Sequence, residues 1–158
     1  MRRFIADANI GMRILVGDRD IAAAETPEKA EMLRAMYEDT RALLTQVSDG
    51  KVTLYFPDAV VEEMIFVLSK VYNLDREYIS RKILTLLEAD NIESTDTIRR
   101  ALSQYATTNL DIVDIKLGVL SKELGSPVLT WDKGFSKLNF EYYSPRDIID
   151  TEDPEEES

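Results

Sequence analysis

Short apolar runs alternate along this chain with longer stretches of helical period. Phe4-Ile5-Ala6 comes first, ended by Asp7, and an apolar run of this kind predicts a strand buried at the centre of a sheet. Beyond Asn9, the segment from Ile10 to Val16 sets Arg13 among apolar neighbours, and Gly17-Asp18-Arg19-Asp20 predicts a loop. Thr26-Pro27-Glu28 has the order of a helix start: a hydroxyl N-cap, proline at the first helical position and an acid in the first turn. Leu33, Met36, Tyr37, Leu43, Leu44 and Val47 give this helix an apolar stripe, and Asp49-Gly50 stops it.

Lys51 to Phe56, with Val52, Leu54, Tyr55 and Phe56, predicts a second strand. Pro57-Asp58 breaks it and opens a helix running to about Tyr72. A third helix is expected from Asp75 to about Leu87, a turn or short strand near Ile92, and a fourth helix from a Thr95 cap to Tyr105. The stretch from Asn109 to Phe135 reads as a helix, a glycine turn, a short buried strand Val128-Leu129-Thr130 and an acidic strand end at Asp132. Phe140 to Ser144 predicts an edge strand ended by Pro145. Strands alternating with helices in this way predict an α/β domain over residues 1–149 with a mainly parallel central sheet.

At 158 residues the chain can bury a core without disulfides or a structural metal. It has no cysteine, which excludes disulfides, zinc–thiolate sites and thiol catalysis. It has no histidine either, which removes the usual general base and the Ser-His-Asp and Cys-His arrangements. The net charge of −11 is unevenly placed: seven acids and no base fall from Asp147 onward, leaving 23 acids against 19 bases, or −4, for the rest. Residues 150–158 have the composition of a solvated, disordered tail. No run approaches the ~20 apolar residues of a membrane span. An acid at Asp7 comes too soon for a signal peptide, so a soluble cytoplasmic protein is expected.

The chemistry must then come from acids. In an open parallel sheet, ligands bind beyond the carboxyl ends of the strands, and Asp7 and Asp132 both follow strands. At ~100° per residue, Glu63 lies at the border of an apolar arc made by Val60, Val61, Met64, Ile65, Val67, Leu68 and Val71. Glu62 falls on the wetter side. Glu63 is therefore the better candidate for a half-buried functional carboxylate, although a glutamate near a helix start is also an ordinary dipole partner. Asp111 and Asp114 are three apart and repel across one helical turn. A cation would remove that penalty; equally, Asp111 can be a cap and Asp114 a first-turn acid. Gly118, four residues beyond Asp114, leaves its face without a side chain and so with room for a substrate. An all-oxygen site suits Mg²⁺ or Mn²⁺. Such ions lower the pKa of a water and stabilise the oxygens of a phosphodiester, so no protein base is required.

The order of these motifs resembles the PIN-domain family, and within it the ribonuclease toxins of VapBC-type toxin–antitoxin pairs. The matching segments are Phe4-Ile5-Ala6-Asp7-Ala8-Asn9, the glutamate helix from Val60 to Leu68, Asp111-Ile-Val-Asp114, and Val128-Leu129-Thr130-Trp131-Asp132-Lys133-Gly134-Phe135. The resemblance implies a three-layer, Rossmann-like PIN fold and a Mg²⁺- or Mn²⁺-dependent endoribonuclease. It gives metal-ligand roles to Asp7, Glu63, Asp114 and Asp132, and supporting positions beside them to Asn9, Asp111 and Thr130. It also sets a basic residue for phosphate at Arg13, where a salt bridge inside the fold is as good a reading; apart from the resemblance, Lys133 with Lys137 forms a local basic patch suited to phosphate.

A small antitoxin protein, an RNA substrate and a homodimer are the partners the resemblance implies. Two departures stand out. Ala8 replaces the family's usual hydroxyl residue, and a pI near 4.5 is unusual where nucleic-acid affinity rests on Lys and Arg. Three other readings compete: a catalytically silent PIN-like interaction module, an RNA-maturation nuclease that is not a toxin, and a phosphorylated-aspartate receiver or phosphatase. The last leaves Glu63 without a task.

Overall fold

Val52, Thr53 and Leu54 are buried, and they belong to β2 (Val52–Tyr55), the middle strand of a three-stranded sheet. β1 (Arg2–Ile5) pairs with it in parallel from Arg2 opposite Val52 to Ile5 opposite Tyr55. On the other side lies β3 (Ile92–Glu93), also parallel, with Ile92 opposite Leu54. A second, two-stranded parallel sheet joins β4 (Val128–Leu129) to β5 (Tyr142–Tyr143). Parallel neighbours need long crossovers, and helices supply them. α1 (Ala8–Ala22) and α2 (Pro27–Ser48) precede β2, and α3 (Asp58–Lys70) and α4 (Arg76–Leu87) precede β3. α5 (Asp96–Tyr105) and α6 (Ile112–Leu124) precede β4, a 3-10 turn (Lys133–Lys137) precedes β5, and α7 (Pro145–Ile149) follows it. The computed structural model describes residues 1–149, the side chain of Lys137 excepted, so the acidic tail expected at 150–158 lies outside the described residues.

The helix starts are set by local chemistry. Thr26 Oγ1 accepts from the Lys29 amide at 3.1 Å, Asp75 Oδ1 from Tyr78 at 2.8 Å and Thr95 Oγ1 from Ile98 at 3.2 Å, each satisfying an otherwise unpaired helical N–H. Packing then joins the elements. Phe56, Met64, Leu68, Ile79, Ile83, Ile98, Leu102 and Ile115 are essentially without solvent contact and bring the end of β2 together with α3, α4, α5 and α6. Each such side chain contributes roughly 1.5–3 kcal/mol of burial.

The expected loop at Gly17-Asp18-Arg19-Asp20 is helix, because α1 continues to Ala22. Gly17 serves close packing: a Cβ there would meet the Tyr37 ring of α2 at 2.6 Å. Overpacking of this kind costs about 1–3 kcal/mol, against a gain of ~1 kcal/mol in helix propensity. Gly17→Ala is therefore expected to lower stability by about 1 kcal/mol in urea unfolding, despite the better helix former.

β1 is an edge strand and not a buried central one. β4 pairs with β5 in place of β1, so the outer edge of β1 stays open, and Ile5 is 76% exposed. Leu129 in β4, expected in a buried strand, is exposed as well. Pro145 does more than end β5: it starts α7, and Asp147 accepts from the Ser144 amide and hydroxyl at 2.7 and 2.9 Å.

Candidate active site

Asp7 stands two residues beyond β1 and caps α1, its Oδ1 accepting from the Ile10 amide at 3.1 Å. The start of α1 is pressed onto α3. A Cβ at Gly11 would meet the Met64 sulfur at 2.5 Å, and Met64 follows Glu63 directly. Glu63 itself is exposed, and it shares with Asn9 and Arg13 the wall of a cavity of about 410 Å³. The first and second acidic motifs therefore meet through Asn9 and Glu63.

The other two motifs meet at the start of α6. Asp111 is its N-cap, with a long bond of 3.4 Å from the Val113 amide, and Asp114 lies in the first turn, half-buried. Asp132 follows β4 and caps the 3-10 turn, accepting from Gly134 N at 2.7 Å. Its own amide donates to Thr130 Oγ1 at 2.9 Å, so Thr130 fixes the main chain of Asp132 and not its carboxylate. Burial, then the charge of Asp111, then that of Asp132, push the Asp114 carboxyl above the ordinary 3.8. Three carboxylates thus press on one corner. Lys133 follows on the exposed first residue of the turn.

The four expected ligands do not converge on one point. Among the described residues no three acidic side chains are grouped closely enough to share an ion. Asp7 and Asp132 follow strands of two separate sheets, since β1 pairs with β2 and β4 with β5.

Two other expectations change. The space beside Gly118 is filled: the Phe140 ring occupies the place of a Cβ and packs edge-on against Phe135 at 5.4 Å between centroids. Glu62, expected on the wet side, is half-buried because Lys116 of α6 pairs with it and with Asp58, the latter at 3.8 Å. This contact between helices cannot appear in the periodicity of α3 alone. Arg13 takes the salt-bridge reading, with Nη1 2.8 Å from Asp20 Oδ2. Asp20 and Tyr72, whose hydroxyl donates to Asp20 Oδ1, were not candidates from the sequence; the spacing of Arg13 and Asp20, two helical turns apart, was the available signal once the helix is known to continue.

In a comparison against family models, the PIN domain matches residues 7–141. The chain belongs to the PIN-domain family. It is similar to a VapC ribonuclease of Aquifex aeolicus (strain VF5), 28% identical over 121 residues that cover 75% of this chain and 84% of that protein. The matched region of this PIN domain runs from the first candidate acid, Asp7, past the last, Asp132, and includes Glu63 and Asp114. None of the helices described is long and apolar enough to cross a membrane.

Proposed function

We propose that this PIN domain is a Mg²⁺- or Mn²⁺-dependent endoribonuclease and the toxin of a toxin–antitoxin pair. The observation that carries the reading is the PIN-domain match over residues 7–141, within which Asp111 and Asp132 lie close enough to Asp114 to raise its carboxyl. A hard divalent cation offsets that repulsion with ligands of the kind it prefers. Asp114 and Asp132 would hold it, with Asp111 beside them and Asp7 and Glu63 from the other half of the site. When bound, the ion lowers the pKa of a water and stabilises charge on the phosphate oxygens. The protein's own residues orient: capping bonds fix Asp7 and Asp132, and Lys133 offers an exposed cation next to Asp132 for the RNA strand. With no histidine, no imidazole moves a proton here.

Cleavage of a single-stranded RNA by the purified protein in Mn²⁺ tests the reading. Activity should appear with Mn²⁺ and vanish in excess EDTA, and equal cleavage in both would sink it. Growth arrest on expression, relieved by a small co-expressed partner from the adjoining gene, separates a toxin from a maturation nuclease. A homodimer is part of the same reading; exposed Phe66, Val113 and Leu117 supply apolar surface for it, and a monomer in size-exclusion chromatography would remove it. A second reading has an observation of its own. That no three acids among the described residues are placed to share an ion favours a silent interaction module, for which Mn²⁺ would leave the melting temperature unchanged.

A further inference from the structure

The acids at the start of α6 do little to fix their own position. The Asp111 cap bond is long, at 3.4 Å from the Val113 amide, and Asp111 and Asp114, one turn apart, repel each other. Asp111 also borders a cavity of about 460 Å³, so the first turn has open space beside it into which it can relax. Its place must be set from outside α6. Two cations do this, and neither has a part in the proposed reaction.

Arg76 is the first residue of α4. Its Nε donates to the Tyr105 carbonyl at 2.9 Å and its Nη2 to the Leu110 carbonyl. Tyr105 closes α5 and Leu110 immediately precedes Asp111, so one guanidinium spans the loop 106–110 from end to end. The Tyr105 carbonyl stands at a helix C-terminus, where such groups lack helical partners and the dipole favours a cation. The guanidinium also lies 3.6 Å from the centroid of the buried Tyr105 ring. A planar fork stacked in this way can aim two donors at two carbonyls at once, which a lysine cannot. Both acceptors are main-chain atoms, and Arg76 forms no ion pair among the described residues. The contact therefore acts on the path of the chain into Asp111.

The second turn of α6 is tied separately. Lys116 pairs with Glu62 of α3, the residue before Glu63, and lies 3.8 Å from Asp58. With α6 anchored to α3 at Lys116, loss of Arg76 releases the first turn alone.

We propose that Arg76 is a positioning residue for RNA cleavage: by holding the Tyr105 and Leu110 carbonyls it sets the place of Asp111 and Asp114 against the repulsion between them. The inference rests on the ribonuclease reading above. Its test joins amide hydrogen exchange, followed by NMR in EDTA, to steady-state cleavage of a single-stranded oligoribonucleotide in Mn²⁺. The Ile115 amide donates to the Asp111 carbonyl at 3.0 Å and closes the first turn. In Arg76→Met this amide should exchange about tenfold faster or more, while amides of α6 beyond Lys116 keep their wild-type rates. Cleavage should lose about 100-fold in kcat, the effect of misplacing a reacting group by roughly 1 Å. KM should stay within about threefold, because Arg76 is given no contact with RNA. Arg76→Lys keeps the charge but not the fork, so both effects should persist in it. If Arg76→Met does not fold, Arg76→Lys carries the same two measurements. Recovery of wild-type kcat by lysine would make Arg76 a charge and overturn its positioning role. A wild-type Ile115 rate in Arg76→Met would overturn it too, as would faster exchange spread evenly over α4, α5 and α6, the mark of a merely structural arginine. Faster Ile115 exchange with kcat unchanged would remove this inference and leave the ribonuclease reading standing. Failure of the wild-type protein to cleave RNA would instead remove that reading itself.

Discussion

Asparagine in place of Asp114 is expected to give a protein that melts higher and no longer cuts RNA. The Asp114 carboxyl is raised above its ordinary 3.8 by burial, by Asp111 and by Asp132. The folded chain therefore holds this proton more tightly than the unfolded chain does. Stability falls as pH rises from the ordinary value through the raised one, and the penalty is complete above the raised value. Asparagine has nearly the same shape without the charge. In EDTA the variant should melt above wild type. Cleavage should fall about 1000-fold, because a lost cation ligand forfeits several kcal/mol of charge stabilisation in the transition state. Mn²⁺ should raise the melting temperature of wild type and do little for the variant. Asp7→Asn is the companion measurement. Asn remains a good N-cap, so α1 should keep its stability while cleavage is lost. A lower melting temperature for the Asp114 variant in EDTA would contradict the crowding of charge. Cleavage within tenfold of wild type in either variant would contradict the ligand assignment.

What could be read from the residues and what could not divides along a physical line. Caps, proline positions and apolar stripes are local, and they located α2 through α6 and the strands to within a few residues. Asp7, Asp111 and Asp132 each sit where a cap belongs, which is why their places at element ends were legible. Features that depend on a second element were not. Gly17 looks like a loop residue until Tyr37 of α2 is seen against it, and Gly118 looks like open space until Phe140 fills it. Glu62 looks wet until Lys116 arrives from α6. The exposure of β1 belongs to the same class, since a strand's apolar run records what it can be paired with and not whether β4 pairs with it. For the site the outcome is mixed. The motifs named the acids, yet the structure joins them as two groups, Asn9 with Glu63 and Asp111 with Asp114 and Asp132.

Valine at Gly118 is expected to damage both the fold and the half of the site that carries Asp132. The Phe140 ring lies where the new side chain would go, with its Cδ1 2.7 Å and its Cζ 3.1 Å from an ideal Cβ. That ring cannot simply swing aside, because Phe135, only 3% exposed, holds it edge-on. Either α6 moves away from the ring or the ring leaves its place. Both outcomes shift the 3-10 turn and β5 relative to the start of α6, and hence Asp132 relative to Asp114. The cost should be about 2–3 kcal/mol, at the upper end for overpacking, with a further few tenths for a β-branched residue within a helix. Urea unfolding measures the loss, and the Mn²⁺-induced rise in melting temperature should shrink with it. Phe140→Leu separates this cause from a general helix effect. Alone it should destabilise by about 1 kcal/mol, but combined with Gly118→Val it should restore more than it costs, a coupling of at least ~1 kcal/mol between the two positions. Purely additive losses would mean that the ring does not rest on Gly118, and the link from α6 to the Asp132 segment would have to be sought elsewhere.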